Sequence, residues 1–203
     1  MEYIKASDLP FDPRPQMGRI FAEGFYEHGL KFLSKDKAKL ARATAHIFVL
    51  DKFFVAVENG EIMAMVGVTA QKPPPAKADK KILINELGFI RGRVAYWALN
   101  KFVINPPAPV EIPEDMCIIE FVATSLAHTR KGIAFKLLSH VMEILHFDGY
   151  MLEVVDVNAG AISLYEKLGF REFSRKPSPS KRSGFNFFLY MKTDRKVSVR
   201  HDV

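Results

Sequence analysis

A chain of 203 residues, 48% hydrophobic and 26% charged, carries enough apolar surface for one full globular core and reads as a single domain over 1–203. One cysteine, Cys117, excludes an internal disulfide and a Cys-rich metal site. The net charge of +6 is dispersed, with no basic stripe interleaved with aromatics, which argues against a nucleic-acid partner.

Cys117 reads as a small hydrophobe in a strand. Local basic excesses at 77–81 and 171–182 are solvated faces, or sites that attract the phosphates of a nucleotide-like cofactor. The N-terminus has neither the basic cap nor the long apolar run of a secretory signal, so a cytoplasmic location is expected.

Residues 3–6 predict a short first strand, and the prolines at 10, 13 and 15 force a loop after it. Met17, Ile20, Phe21, Gly24 and Phe25 share one face of a helix ending near Gly29; residues 33–47 predict a second, with Leu40, Ala43 and Ile47 inward. Residues 53–58 and 61–69 are β-rich runs flanking Asn59-Gly60. That dipeptide suits a type I′ turn, which needs positive φ at both central residues, so an antiparallel hairpin is expected.

Pro73-Pro74-Pro75 breaks the pattern. In 82–104, Leu87, Ile90, Val94, Trp97 or Ala98, and Phe102 recur at helical spacing, while Glu86, Arg91, Arg93 and Lys101 exclude a transmembrane span. An amphipathic helix packed on the domain is expected. A lid over the substrate, a homodimer contact or a helix lying on a membrane surface are its other uses.

The C-terminal half alternates strand at 116–124, helix at 133–147, strand at 150–157 and helix at 159–168, then strands at 171–174 and 185–191. Strand, helix and strand in succession imply a parallel pair. A polar tail, 193–203, is expected to fray.

The strand ending at Thr124 runs through Ser125-Leu126-Ala127-His128 into Thr129-Arg130-Lys131-Gly132-Ile133-Ala134, which opens the long helix. Unpaired N–H groups at a helix N-terminus make an anion cradle, and Gly132 admits a phosphate close to the backbone. The run is neither a Walker A loop nor a dinucleotide fingerprint. The following strand leads into Asn158-Ala159-Gly160-Ala161-Ile162-Ser163-Leu164-Tyr165-Glu166-Lys167-Leu168-Gly169-Phe170.

In this order and spacing, the two segments resemble the signature motifs of the GNAT acetyltransferases, strongly over 116–173. The helix-helix-hairpin order of 17–69 agrees with that family's N-terminal half, and 73–111 reads as an insertion. The resemblance implies an α/β fold with a mixed, mostly antiparallel sheet, one splayed parallel pair near Val122 and Val155, and helices on both faces. It also implies acetyl-CoA as co-substrate and a primary amine as acceptor.

By the same resemblance, backbone groups of Phe121, Val122, Ala123 and Thr124 pair with the pantetheine amides. N–H groups of Thr129, Arg130, Lys131, Gly132, Ile133 and Ala134 hold the pyrophosphate, and Asn158 supports the arm from the opposite strand end. Tyr165 stands where family members often carry the acid that protonates the departing thiolate, its other reading being a packed Tyr. Glu120 is the candidate base, against a structural carboxylate. Strand period two sets Glu120, Val122 and Thr124 on one face, and burial among Ile118, Ile119, Phe121 and Val122 raises the Glu120 pKa.

Thr129 departs from the family, which usually has Arg or Gln there; Arg130 is placed to compensate. A non-catalytic acyl-CoA-binding or regulatory module is the alternative that this departure supports. His140, Glu143 and His146 on the long helix lack the spacing of a helical zinc motif, so no metal is expected. His28 and His128 are candidates to assist proton transfer, or solvated histidines.

Overall fold

A computed structural model describes residues 1–27, 30–70, 74–104, 116–178 and 184–194. Its strands are β1 (Glu2–Lys5), β2 (Phe53–Glu58), β3 (Glu61–Thr69), β4 (Met116–Thr124), β5 (Gly149–Val155), β6 (Arg171–Pro177) and β7 (Phe187–Asp194). They form one sheet in the order β1-β2-β3-β4-β5-β7-β6. Every neighbouring pair is antiparallel except β4 and β5, which run parallel.

The helices are α1 (Arg14–Gly24), α2 (Lys37–Ala45), α3 (Lys80–Leu87), α4 (Phe89–Leu99), α5 (Ile133–Ile144) and α6 (Ala159–Lys167). Alternation along β2 and β3 feeds two cores, one on each face of the sheet. Val55, Val57, Ile62 and Met65 join Met17, Ile20 and Leu40 of α1 and α2; Phe54, Ala56, Ala64 and Val66 join Leu137, Leu138 and Tyr165 of α5 and α6. With both faces covered, β2 is buried at five successive positions.

The β2–β3 turn has positive φ at Asn59 (52°) and Gly60 (77°), the geometry expected of Asn-Gly. Gln16 of α1 fixes the hairpin to the helix layer: its Nε2 donates to the Gly60 carbonyl at 2.9 Å, and its Oε1 accepts from Ile62 N–H at 2.9 Å.

Several bounds differ from expectation for local reasons. α1 stops at Gly24 rather than near Gly29, and Gly29 and His28 lie outside the described residues. α2 starts later because Asp36 caps it, accepting from Lys39 N–H at 3.0 Å. The long 82–104 segment is two helices, since Gly88 has φ 88° and ends α3; a short π turn, Asn100–Ile104, follows α4. Thr193 and Asp194 belong to β7, whereas 195–203 lie outside the described residues.

Candidate active site

The parallel pair governs the site. Pairing between β4 and β5 runs from Met116–Gly149 to Ile119–Leu152, yet β4 continues to Thr124 and β5 to Val155. β5 stays zipped to β7 through Val155–Phe188, and β4 stays paired with β3 through Thr124–Ala64. The sheet therefore opens between β4 and β5, leaving one edge of 120–124 without a strand partner among the described residues. Unpaired backbone amides along such an edge are a template for an added extended chain.

The edge is bent by a bulge. Gly67 pairs with Glu120 and Met65 with Ala123, so two steps on β3 face three on β4. Phe121 takes the extra place with φ 53°, a left-handed conformation that aromatic residues rarely adopt. The expected period of two fails here: Phe121 and Ala123 join the α1 side of the sheet, while Val122 packs on the α5 side. Glu120, Val122 and Thr124 are thus not one face. Glu120 sits opposite Gly67, and a Cβ on Gly67 would meet the Phe53 ring at 3.1 Å and the Phe121 ring at 3.3 Å. Glu120 accordingly shares the α1 side with Phe121.

Phe121 is held by rings from three other elements, with centroids 5.8 Å from Phe21, 6.4 Å from Phe48 and 5.6 Å from Phe53. These contacts offset the cost of the left-handed backbone. Because Gly67 supplies the space for two of these rings, Gly67→Ala is expected to destabilise the fold by about 1–3 kcal/mol, the cost of overpacking. Chemical denaturation measures it, and an unchanged midpoint would show that the rings do not brace the bulge.

Glu120 is half-buried, and Thr69 Oγ1 donates to its Oε2 at 2.6 Å. Desolvation raises its pKa above the ordinary carboxylate value. The Thr69 hydrogen bond opposes that shift, Glu153 on β5 adds to it, and Lys52 opposes it. A carboxylate so raised holds protons more readily than a solvated one. Cys117, buried in the α5-side core, has its thiol pushed up to about 12 by burial, so it is no nucleophile at neutral pH.

The turn between β4 and α5 presents its backbone outward. Arg130 (φ 61°) and Gly132 (φ 72°) are both left-handed and flank Lys131, and residues 129–132 are exposed. No side chain caps α5, and nothing lies within 4 Å of a Cβ built on Gly132. The first-turn N–H groups of α5 therefore face open space, an arrangement that favours an anion. The Thr129 hydroxyl donates to the Leu126 carbonyl at 3.3 Å, bracing the turn from within. His128 Nε2 lies 3.2 Å from Glu61 Oε1, and Lys131 Nζ lies 3.4 Å from His128 Nδ1.

Asn158 caps α6, its Oδ1 accepting from Ala161 N–H at 3.2 Å. Tyr165 on the same helix is buried in the α5-side core with its ring 5.9 Å from Phe170. Burial raises its pKa, so the phenol keeps its proton at every physiological pH. Its hydroxyl makes no hydrogen bond among the described residues. Thr69 and the three rings behind Phe121 are the neighbours that sequence reading missed. They come from distant segments, and no local signal ties them to Glu120.

A pocket of about 620 Å³ is lined by Arg14, His46, Phe48, Asp51, Lys77 and Asp79 among others and meets the site only through Phe48, behind Phe121. His140, considered above with Glu143 and His146, stacks on Tyr3 with centroids 5.5 Å apart.

The fold is shared by solved acetyltransferases. An N-acetyltransferase from Staphylococcus aureus Mu50 superposes with a TM-score of 0.63 at 18% identity, covering 95% of this chain and all of that one. The ribosomal-protein-S18-alanine N-acetyltransferase from Escherichia coli gives 0.55 at 17% identity, covering 95% and 92%. A ribosomal-protein-alanine N-acetyltransferase from Brucella melitensis gives 0.57 at 14%, covering 96% and 100%. At these identities the likeness is one of fold. No curated protein matches the sequence. The model of the acetyltransferase (GNAT) family matches residues 17–170, and the chain belongs to that family.

Proposed function

We propose that the protein transfers the acetyl group of acetyl-CoA to a primary amine, in the cytoplasm and as a single domain. The observation that carries this reading is the free β4 edge at 120–124, which leads directly into the outward-facing turn at 129–134. An extended pantetheine arm fits the edge as an added strand, with backbone groups of Phe121, Val122, Ala123 and Thr124 as its partners. Its pyrophosphate fits the N–H groups from Thr129, Arg130, Lys131 and Gly132 to Ile133 and Ala134. Arg130 and Lys131 add positive charge, which supplies the role that an Arg or Gln at 129 has elsewhere in the family. Asn158, which caps α6 just beyond β5, supports the arm from the other side.

For the chemistry, Glu120 takes the proton that the acceptor ammonium must lose before its nitrogen attacks the thioester carbonyl. Its raised pKa brings it nearer to that of an amine, and the Thr69 hydrogen bond orients it. Tyr165, protonated throughout, donates to the sulfur as the carbon–sulfur bond breaks. Glu120 then releases its proton to solvent, the attacking nitrogen gives up its second proton to solvent as the amide forms, and Tyr165 regains one from solvent, so that one proton is released for each acetyl group transferred.

Calorimetric titration with acetyl-CoA, followed by thiol release across a panel of amines, tests the reading. Micromolar binding is expected. Gly132→Ala is expected to weaken it about tenfold or more, since the new methyl group occupies the cradle at a left-handed residue that itself disfavours a side chain by about 1–2 kcal/mol. Binding without turnover on any amine would favour a regulatory acyl-CoA-binding module, and absence of binding would remove the cofactor site altogether.

A further inference from the structure

The α3–α4 hairpin stands outside the two motifs and carries five of the exposed large apolar side chains among the described residues, Ile82, Phe89, Ile90, Val94 and Trp97. It is seated on the α1–α2 layer by Leu83, Leu87, Ala95 and Leu99, all buried in that core. Gly92 lets the helices meet back to back, because a Cβ there would lie 2.5 Å from Ile84 Cα. α4 should then be polar on its outer side. Instead Phe89 is 67% exposed, Ile90 76%, Val94 50% and Trp97 55%.

At 100° per residue, Ile90 and Trp97 lie near the pole opposite Ala95 and Leu99, so the exposed side chains stand on the ridge of the helix. The ridge is bordered by cations. Positions 80–101 hold Lys80, Lys81, Arg91, Arg93 and Lys101, all exposed, against one carboxylate, Glu86, which Arg42 of α2 engages at 3.1 Å. The Arg93 guanidinium lies 5.4 Å from the Phe89 ring centroid and Lys101 Nζ 5.0 Å from that of Trp97. Charge and aromatic surface are therefore presented together.

We propose that this ridge docks the protein on an anionic membrane surface, with Phe89, Ile90 and Trp97 entering the headgroup layer and the flanking Lys and Arg residues meeting lipid phosphates and carboxylates. Three observations select this occupant. A convex row of large apolar side chains suits a soft, penetrable layer better than the groove-and-ridge fit of a folded partner. Two copies meeting face to face across a two-fold axis would oppose the same cationic border to itself, which is repulsive. A basic border complements an anionic leaflet, where each Lys or Arg near the surface contributes binding. No helix among the described residues is long and apolar enough to cross a membrane, so the helix lies on the surface.

Trp97 is the sole tryptophan of these 203 residues, so its emission reports the contact directly in this chain. Vesicles of phosphatidylserine and phosphatidylcholine are expected to shift Trp97 emission to the blue and to sediment the protein, with both effects reversed by salt. Arg91→Glu with Arg93→Glu is expected to reduce partitioning about tenfold or more; Phe89→Ser with Ile90→Ser is expected to reduce it comparably. Circular dichroism checks that both variants remain folded, and the wild-type measurement stands without them. Absence of both shift and sedimentation overturns the proposal, as does equal partitioning onto pure phosphatidylcholine. It is also overturned by a lipid-independent doubling of mass that Ile90→Ser abolishes, which makes the ridge a homodimer contact. An emission shift with poly-glutamate and none with vesicles overturns it in favour of an acidic protein.

Discussion

Glu120→Gln lowers turnover by about 10²–10⁴-fold, the range by which a positioned general base accelerates proton transfer. The loss is largest at pH values above the Glu120 pKa and well below that of the acceptor, where wild-type Glu120 is ionised and free amine is scarce. It shrinks as pH approaches the pKa of the acceptor amine. The acid limb of the wild-type pH–rate profile, set by a carboxyl raised through desolvation, lies above that of an ordinary glutamate and disappears in the variant. Thiol-release rates measured across pH for both proteins read this out, and parallel profiles would remove Glu120 from the base role.

Stability is expected to move the other way. The folded protein holds the Glu120 proton more tightly than the unfolded chain, so the wild type loses stability as pH rises from the ordinary glutamate value of 4.5 through the folded pKa. A neutral amide escapes this loss. Gln at 120 still accepts from Thr69, so the variant is expected to melt higher than the wild type at neutral pH, with the difference closing below about 4.5. Lower activity with higher stability distinguishes a working carboxylate from one that merely packs.

Tyr165→Phe likewise lowers turnover, by about 10²–10⁴-fold if the phenol supplies the proton to the leaving thiolate. Acetyl-CoA affinity is expected to stay within a few-fold of wild type, because the cradle at 129–134 belongs to another helix. Folding is expected to be unharmed. The hydroxyl makes no hydrogen bond among the described residues, so removing it exposes no buried group, and the ring keeps its packing on Phe170. Calorimetry and denaturation on the same preparation separate these effects. Unchanged turnover would make Tyr165 a packing residue, and a large loss of stability would mean that its hydroxyl is engaged.

The legible parts of the fold were those that short stretches encode by themselves. Asn59-Gly60 specifies a turn because only its residue types take positive φ in succession at low cost, and the hairpin followed. Asp79 and Asn158 cap α3 and α6 through their own side chains, a local signal that the reading of the sequence did not use. The parallel pair follows from strand, helix and strand in succession, and its splay from the family resemblance. The break at Gly88 was less legible, because the apolar spacing of 82–104 runs across it.

The amino-acid sequence alone determined the order of elements, the family, and the glycine-bearing turn that opens α5, since each depends on residue identity within a few positions. Tertiary structure decided where Glu120 points. Phe121 has no local preference for φ 53°, and the conformation is maintained by the rings of Phe21, Phe48 and Phe53, which reach it from elsewhere in the chain. One extra residue in β4 reverses the alternation after it, bringing Glu120 and Phe121 to the same side of the sheet and Val122 to the other. Periodicity carries no information about an insertion of this kind, because long-range packing, and not the strand itself, stabilises it.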